Sequence, residues 1–334
     1  MKSVFPILLI TIPLLAGVIS LFIGPSDVVT QDEIGAYLLR QVSQTPVDDE
    51  QALMAEAIVR DVRLPRVLLA MLVGIALSLS GAALQGLFRN PLVSPDVLGL
   101  SAGAAFGAAL ALALPVLPLQ PSAFAGGLAA VGLTYGIAYA RRKVSIVALI
   151  LAGIIVTGFF TALLTVVQFF ADPFRLQTIV QWTMGNLHTA TWSKVVSSAP
   201  PIILSSIWLL LMRWRLNVLA LGDDEARSVG LNPEREKLLI LIPATLAASS
   251  AVAVAGIIAM VGLVLPHLAR LIAGADNRRL LPLTASLGAV FLLIVDDFSR
   301  SIAAFELPVG IFTVLVGAPL FIVLLRRKIM GMSA

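Results

Sequence analysis

The sequence contains no cysteine and only two histidines, His188 and His267. Without cysteine the chain has no disulfide, no thiolate metal site and no cysteine nucleophile. With two histidines it also lacks the ligands for a histidine-rich metal centre. The composition therefore predicts that this chain holds no metal site.

Charged residues are scarce. They make up 13% of the 334 residues, whereas 59% are hydrophobic, and the mean hydropathy is +0.99. Soluble domains contain about 25% charged residues, because a surface that faces water needs them. This excess of apolar residues indicates a surface that faces lipid. The net charge of +4 is then a signal of orientation in the membrane and not of nucleic-acid binding.

Motifs of enzymes are absent as well. The sequence has no G-x-x-x-x-G-K-[ST] phosphate loop, so this chain does not bind and hydrolyse ATP in that way. It has no H-E-x-x-H, and candidates for an intramembrane protease site are poor. We predict no catalytic residue and no cofactor in this chain.

Long apolar runs dominate the chain instead. In lipid every backbone N–H and C=O has to be satisfied within its own segment, so each run predicts a helix. The first run, of about 20 residues, is long enough to span about 30 Å of hydrocarbon and too long for the core of a signal peptide. We predict an all-α polytopic membrane protein. Its transmembrane helices, about ten in number, lie at about 4–23, 64–88, 97–114, 122–140, 144–170, 196–212, 238–258, 260–274, 280–302 and 307–325.

Arginine and lysine are distributed unequally between the predicted loops. With an even number of helices, most of the 23 basic residues fall on one side, together with both termini. Since short cytoplasmic loops are enriched in Lys and Arg, we assign that side to the cytoplasm. The acidic stretch 25–61 is then a loop on the far side. We interpret 1–334 as a single transmembrane domain with a charged cytoplasmic segment at 213–237.

The charged segment 213–237 has the pattern of a compact helical knob. Asp223 and Asp224 put acidic side chains in the first turn of a short helix, where the macrodipole favours them. Gly230 is suited to end that helix in a left-handed cap, and Pro233 is suited to begin the next one. Such a knob suits docking into a groove of a partner, and an ordinary solvated loop is the alternative.

Several motifs of the chain resemble those of one transporter family. The run 225–230 resembles the E-A-A-x-x-G coupling loop of ABC importer permeases, with Arg227 in place of the second alanine. Nine residues separate its glycine from I-L-I-P at 240–243, which resembles the I-x-L-P that completes this pattern. Further motifs follow in order: R-L-P-R at 63–66, G-A-A-L-Q at 81–85, R-N-P-L at 89–92, P-D-V-L-G at 95–99, G-L-V-L-P-H at 262–267, R-R-L-L-P at 278–282, E-L-P-V-G at 306–310 and G-A-P-L-F at 317–321. From about residue 60 onward the chain resembles the ferric-siderophore, haem and cobalamin permeases of the type II ABC importers.

The resemblance implies the type II ABC importer permease fold and a homodimer, so a second copy of the chain is an expected partner. It also implies a cytoplasmic ABC ATPase dimer, which binds ATP and Mg, and a periplasmic substrate-binding protein. The chain is then a transport subunit and not an enzyme. It would lie in the lipid bilayer of the bacterial inner (cytoplasmic) membrane, with 25–61 in the periplasm and both termini in the cytoplasm. No nucleic-acid partner is expected.

The resemblance also implies roles for individual residues. Arg63, Arg66 and Arg300 resemble arginines that meet glutamates of the binding protein, as suits the bidentate pairing of guanidinium with carboxylate. Anchoring at helix ends is the alternative for these arginines. Ser145 and Ile146 lie in a region that resembles the cytoplasmic gate. The residues expected to couple to the ATPase are Asp223, Asp224, Glu225, Ala226, Arg227 and Gly230.

Acidic residues within the membrane bear on the class of transporter. Asp296 and Asp297 lie near the outer end of the helix predicted at 280–302, and Asp296 is on the same helix face as Arg300. We interpret Asp296 and Arg300 as a structural pair and not as a proton relay. A carrier driven by an ion gradient, which would want charged sites near the bilayer midplane, is the alternative class.

The substrate is not indicated by the residues themselves. The family moves siderophores, haem and cobalamin, and some members move oxyanions such as molybdate. We expect import of a metal chelate, namely an iron-siderophore, haem or cobalamin. An oxyanion such as molybdate is the alternative.

Overall fold

The computed structural model of the chain describes residues 4–24, 30–43, 50–140, 143–144, 146–302 and 306–331. Its α-helices are α1 (Val4–Phe22), α2 (Gln31–Ser43), α3 (Glu50–Ala57), α4 (Leu64–Leu87), α5 (Leu100–Ala113), α6 (Leu119–Ala138), α7 (Ile146–Phe170), α8 (Pro173–Thr183), α9 (Trp192–Leu211), α10 (Arg213–Leu221), α11 (Asp223–Ser228), α12 (Pro233–Ala255), α13 (Val261–Ala273), α14 (Asn277–Ser301) and α15 (Val309–Gly331). A π-helical turn, Ile58–Arg63, leads into α4, and a 3₁₀ turn, Pro95–Leu98, precedes α5. The strands β1 (Tyr139–Ala140) and β2 (Lys143–Val144) form a short antiparallel hairpin.

The number of membrane crossings depends on the shorter helices. Within the described residues, six helices are long and apolar enough to cross a membrane: α6, α7, α9, α12, α14 and the continuous run Leu53–Leu87, which ends in α4. Shorter apolar helices are formed by α5, by α13 and by parts of α1 and α15. At about 1.5 Å per residue, the 14 residues of α5 are only about 21 Å long. The all-α fold is as predicted, and the count of ten complete crossings stays a prediction.

The acidic stretch 25–61, expected as a loop, contains helices. It includes α2 and α3 and continues into the π-helical turn before α4. At the start of α2, the backbone N–H of Thr30 donates to the Glu33 carboxylate at 2.7 Å, and the backbone N–H of Glu33 is 3.4 Å from the Thr30 hydroxyl oxygen. This reciprocal arrangement is a capping box, and T-x-x-E at 30–33 was the signal for it.

Two helices form the centre of the bundle. In α4 and in α12, 78% of the most apolar 18-residue stretch of the helix is buried inside the chain. In α7 the buried share of that stretch is 28%. Helix α4 packs against α14, α12, α13 and α9. The central position of α4 brings it close to the backbones of several neighbours at once.

Glycines allow α4 to approach its neighbours at backbone distance. A Cβ added at Gly81 would lie 1.9 Å from the carbonyl oxygen of Gly262 in α13. A Cβ added at Gly74 would lie 2.1 Å from the carbonyl oxygen of Gly288 in α14. In lipid, helices associate through packing and interhelical hydrogen bonds and not through the hydrophobic effect, so this close contact contributes to holding the bundle together.

We expect Gly81→Ala to lower the free energy of unfolding by about 1–3 kcal/mol, because the new methyl group would push α4 away from α13. Thermal unfolding of the purified chain in detergent measures the effect. Gly136→Ala in α6 is the matched control, since nothing lies within 4 Å of its added Cβ and alanine is the better helix former. Equal unfolding midpoints for the two variants would contradict the close contact.

Candidate functional site

The charged segment 213–237 contains a short helix, α11, whose C-terminal end is fixed by a glycine. Gly230 has φ +83°, a conformation that strains residues with a Cβ. Its N–H bonds to the carbonyl of Arg227, and the N–H of Leu231 bonds to the carbonyl of Ala226, each at 3.0 Å. These two bonds are a Schellman motif. The predictions of a short helix here and of its left-handed glycine cap are confirmed.

The following helix, α12, also begins where the sequence predicted. Pro233 is its first residue. The side-chain oxygen of Asn232 accepts hydrogen bonds from the backbone N–H groups of Glu234 and Arg235, at 3.2 and 3.3 Å. Caps on both sides therefore define the turn between α11 and α12.

One side of α11 is attached to the bundle. The Asp223 carboxylate lies 2.7 Å from the Lys237 ammonium in α12 and 3.9 Å from the Arg89 guanidinium beyond α4. Ala226 is completely buried. Of the predicted coupling residues, Asp223 and Ala226 thus hold α11 in place.

The other side of α11 is exposed and charged. Asp224, Glu225 and Arg227 are all exposed. Asp224 and Arg227 form an ion pair at 2.9 Å, one helical turn apart. Exposed pairs of this kind contribute about 0.5 kcal/mol, so these side chains can exchange partners at little cost. The Glu225 carboxylate lies against Gly222, where an added Cβ would be 2.0 Å from its Oε2.

At the opposite end of the bundle, Arg66 joins α4 to two other segments. Its Nε and Nη2 donate to the Asp296 carboxylate in α14 at 2.8 and 2.9 Å. Its Nη1 donates to the Glu306 carboxylate, just before α15, at 2.8 Å. Asp296 is fully buried and Arg66 is 6% exposed. A charge buried to this extent is strongly destabilising when its partner is removed.

Two further arginines connect this cluster to the end of α1. Arg300 donates to the backbone carbonyl of Ser20 at 2.9 Å and also contacts the Asp297 carboxylate. The Ser20 hydroxyl donates to the same carboxylate at 2.6 Å. Arg63 donates to the carbonyl of Leu21 at 2.7 Å. The ends of α1, α4 and α14 are therefore joined by charged hydrogen bonds.

The predicted structural pair of Asp296 and Arg300 is present, as an ion pair within α14. The Arg300 Nε is 3.9 Å from Asp296, which is an ion pair without a hydrogen bond. Asp296 instead makes its hydrogen bonds with Arg66, and Arg300 makes its own with Asp297. The reason is that Arg66 approaches Asp296 from a neighbouring helix, whereas Arg300 lies one turn further along the same helix.

The arginines expected at a docking surface are buried. Arg63, Arg66 and Arg300 are 5%, 6% and 3% exposed, and each is engaged by groups of this chain. They are buried because three helix ends converge around them. Docking of a binding protein on these arginines stays a prediction, and in this conformation it would require exchange of their internal contacts.

Sequence reasoning did not find two members of this cluster. Glu306, the partner of Arg66, is 240 positions away from it, and Ser20 is 277 positions from Asp297. No local spacing indicates contacts across such distances. The available signal for Glu306 was its place in the E-L-P-V-G motif.

The predicted gate region is only partly described. Ser145 lies outside the described residues, and Ile146 is the first residue of α7. Their role in a gate stays a prediction. Among the residues that the structure describes, no group of three or more His, Asp or Glu residues could hold a metal ion. His267 lies beside Phe321, with ring centroids 6.4 Å apart.

An apolar helical bundle with buried ion pairs at one end and a capped, charged helix exposed at the other is the architecture of a polytopic membrane protein. A family model described as the FecCD transport family matches residues 10–327. The chain belongs to this family. Since its relatives are permease subunits of ABC transporters, the chain is a permease of ABC importers, and the alternative of an ion-driven carrier does not fit.

Individual relatives cover most of the chain. It is 37% identical over 316 residues to the molybdate import system permease protein of Haemophilus influenzae, across 94% of this chain and 92% of that protein. It is 41% identical over 279 residues to the cobalamin import system permease protein of Halobacterium salinarum, across 82% and 74%. A solved structure described as an inward-facing conformation of a metal-chelate type ABC transporter is 36% identical, with a TM-score of 0.84, across 98% of this chain and 100% of that one. The predicted family and permease fold are thereby confirmed.

We expect Gly230→Ala to destabilise α11 by about 1 kcal/mol, because alanine pays a steric penalty at positive φ while no neighbouring atom lies within 4 Å. Hydrogen exchange of the backbone amides in α11 measures the change. Gly230→Asn is the matched control, since asparagine tolerates this conformation better. Faster exchange in the asparagine variant than in the alanine variant would contradict the cap.

We expect Asp296→Asn to lower the free energy of unfolding by about 3 kcal/mol. In the cluster described above, the buried Arg66 guanidinium would then be paired with one carboxylate, that of Glu306, in place of two. Denaturant or thermal unfolding in detergent provides the measurement. Glu56→Gln is the control: it removes the partly exposed partner of Arg60 at 3.7 Å and should cost about 1 kcal/mol or less. If both variants unfold alike, the buried pair is not a structural element.

Proposed function

We propose that this chain is the transmembrane permease subunit of an ABC importer that moves a metal chelate from the periplasm to the cytoplasm. The chelate is an iron-siderophore, haem or cobalamin. A separate ATPase subunit hydrolyses ATP and drives the transport, and a periplasmic binding protein delivers the substrate. The chain lies in the bacterial inner membrane with both termini in the cytoplasm.

The geometry of α11 is the observation that carries this proposal. Its exposed side presents Glu225 and Arg227, which an ATPase can contact without disrupting the bundle. Its inner side is held by Asp223 and buried Ala226. Because capped turns connect α11 directly to α12, a force applied to α11 reaches a helix at the centre of the bundle. This is the mechanical property that a coupling helix needs.

Packing inside the chain supports a homodimer. The backbone contacts at Gly81 and Gly74 leave no passage for a chelate between α4 and the helices α13 and α14. Helix α7, by contrast, exposes large apolar side chains such as Leu151 and Ile155. We place the translocation pathway at an interface between two copies, with α7 facing it.

The substrate class rests on the relatives. The cobalamin permease of Halobacterium salinarum and the solved metal-chelate type transporter support a metal chelate. The molybdate permease of Haemophilus influenzae, which aligns with 94% of this chain, supports an oxyanion as the second candidate. Uptake into proteoliposomes that hold the complete transporter distinguishes them. We expect ATP-dependent accumulation of a chelate, and accumulation of molybdate alone would assign the second candidate.

Coupling is tested by ATP hydrolysis in proteoliposomes that contain this chain and its ATPase. We expect Glu225→Arg to lower the hydrolysis rate about tenfold or more, since the reversed charge would lie in the docking interface. Glu56→Arg is the matched control, because it makes the same charge change at the other end of the bundle. Its rate should equal that of the unmodified chain.

Two outcomes would contradict the proposal at different levels. Unchanged complex formation and hydrolysis in Glu225→Arg would show that this residue does not carry the docking. Failure of the unmodified chain to associate with any ABC ATPase would remove the coupling role altogether.

A further inference from the structure

A groove with a volume of about 770 Å³ opens on the outer surface of the bundle between α1 and α9. Helix α1 packs against α14 and α4, and α9 packs against α4 and α12. As a result, α4 and α14 form the floor of the groove, and α1 and α9 form its walls. We call it the α1–α9 groove.

The walls and floor of the groove are apolar. Leu14 of α1 and Leu211 of α9 line it, and both are largely exposed in this chain. Small residues on α14, Ala285 and Ala289, make the floor deep. A surface of this composition, on the outside of a membrane-spanning bundle, suits a hydrocarbon chain.

The length of the groove matches one leaflet of a bilayer. Along α14 it extends from Arg278 to Ala289, which at about 1.5 Å per residue is about 16 Å. The hydrocarbon core of a bilayer is about 30 Å thick, so the groove reaches from one membrane surface to about the midplane.

The groove is basic at its surface end. Arg213, Arg278 and Arg279 line it there, and all three side chains are exposed. Within the described chain, no carboxylate lies within 4.0 Å of their guanidinium groups, whereas Arg215 nearby is paired with Glu236 at 2.6 Å. Three guanidinium groups at the level where an apolar groove meets water form a site for an anion attached to an acyl chain.

One acidic residue lies near the arginines. The Asp276 carboxylate accepts hydrogen bonds from the backbone N–H of Arg278 and the side chain of Asn217, and these bonds hold the pKa of its carboxyl below the ordinary value. Asp276 is therefore ionised and offsets part of the positive charge. The arginines still leave the end of the groove with an excess of positive charge.

We propose that the α1–α9 groove is a binding site for one anionic phospholipid of the adjoining leaflet. Its phosphate contacts Arg213, Arg278 and Arg279, and an acyl chain lies along the floor between α1 and α9. The bound lipid contacts two helices, α1 and α9, that both pack on α4. A second copy of the chain fits this groove poorly, because a two-fold related copy would bring the same arginines towards one another.

Native mass spectrometry of the chain, purified in mild detergent, tests the proposal with two probes of identical acyl chains. We expect dioleoyl phosphatidylglycerol to be retained as one molecule per chain and dioleoyl phosphatidylcholine to be lost. The double variant Arg278→Gln, Arg279→Gln should weaken phosphatidylglycerol binding about thirtyfold. The matched control is Arg235→Gln with Arg326→Gln, which removes two exposed arginines outside the groove and should leave binding unchanged.

A second variant tests the apolar part of the groove. Ala285→Trp should reduce the retention of phosphatidylglycerol, because the indole would fill the floor. Equal retention of the two lipids by the unmodified chain, or equal loss in the two arginine double variants, would overturn the proposal. So would disulfide-linked dimers of Leu14→Cys in membranes, since the natural chain has no cysteine and such a bond would show that a second copy covers the groove.

Discussion

The backbone contact of α4 with α13 and α14 is the constraint on which the rest of the structure depends. In lipid the hydrophobic effect does not drive helices together, so they are held by close packing and by polar contacts. Gly74 and Gly81 bring α4 against the carbonyl oxygens of Gly288 and Gly262. With three helices fixed in this way, the ends of α4 and α14 converge at one surface, and the arginine cluster forms where they meet.

That arginine cluster uses the second kind of polar contact available in a membrane. Arg66 and Asp296 are both nearly inaccessible, and they are tolerated because each neutralises the other at hydrogen-bonding distance. Glu306, whose side chain is 34% exposed, extends the cluster to the surface. This end of the bundle is therefore closed, and its arginines are engaged within the chain, although the Arg300 Nε has no hydrogen-bond partner among the described residues. At the other end, α11 exposes Asp224, Glu225 and Arg227 to solvent. A partner can therefore contact the charged groups of that end more readily than those of the arginine cluster.

Non-helical backbone before α9 is hydrogen-bonded to the end of α12 and the start of α15. The carbonyl of Ala255, at the end of α12, accepts a hydrogen bond from the N–H of Asn186 at 2.8 Å. The N–H of Gly310 in turn bonds to the carbonyl of Gly185 at 3.2 Å. Such backbone is tolerated at membrane depth where it is buried in protein.

Features that depend on a few consecutive residues were determined by the sequence itself. The apolar runs determined where helices form, because lipid leaves the backbone no other way to satisfy its hydrogen bonds. Gly230 and Pro233 determined the end of α11 and the start of α12, because each restricts or permits backbone angles locally. By contrast, Arg66 meets Asp296 across 230 positions, and only the tertiary structure decided that pairing. The arginines looked like surface groups in the sequence, and they are buried because burial depends on which helix ends converge.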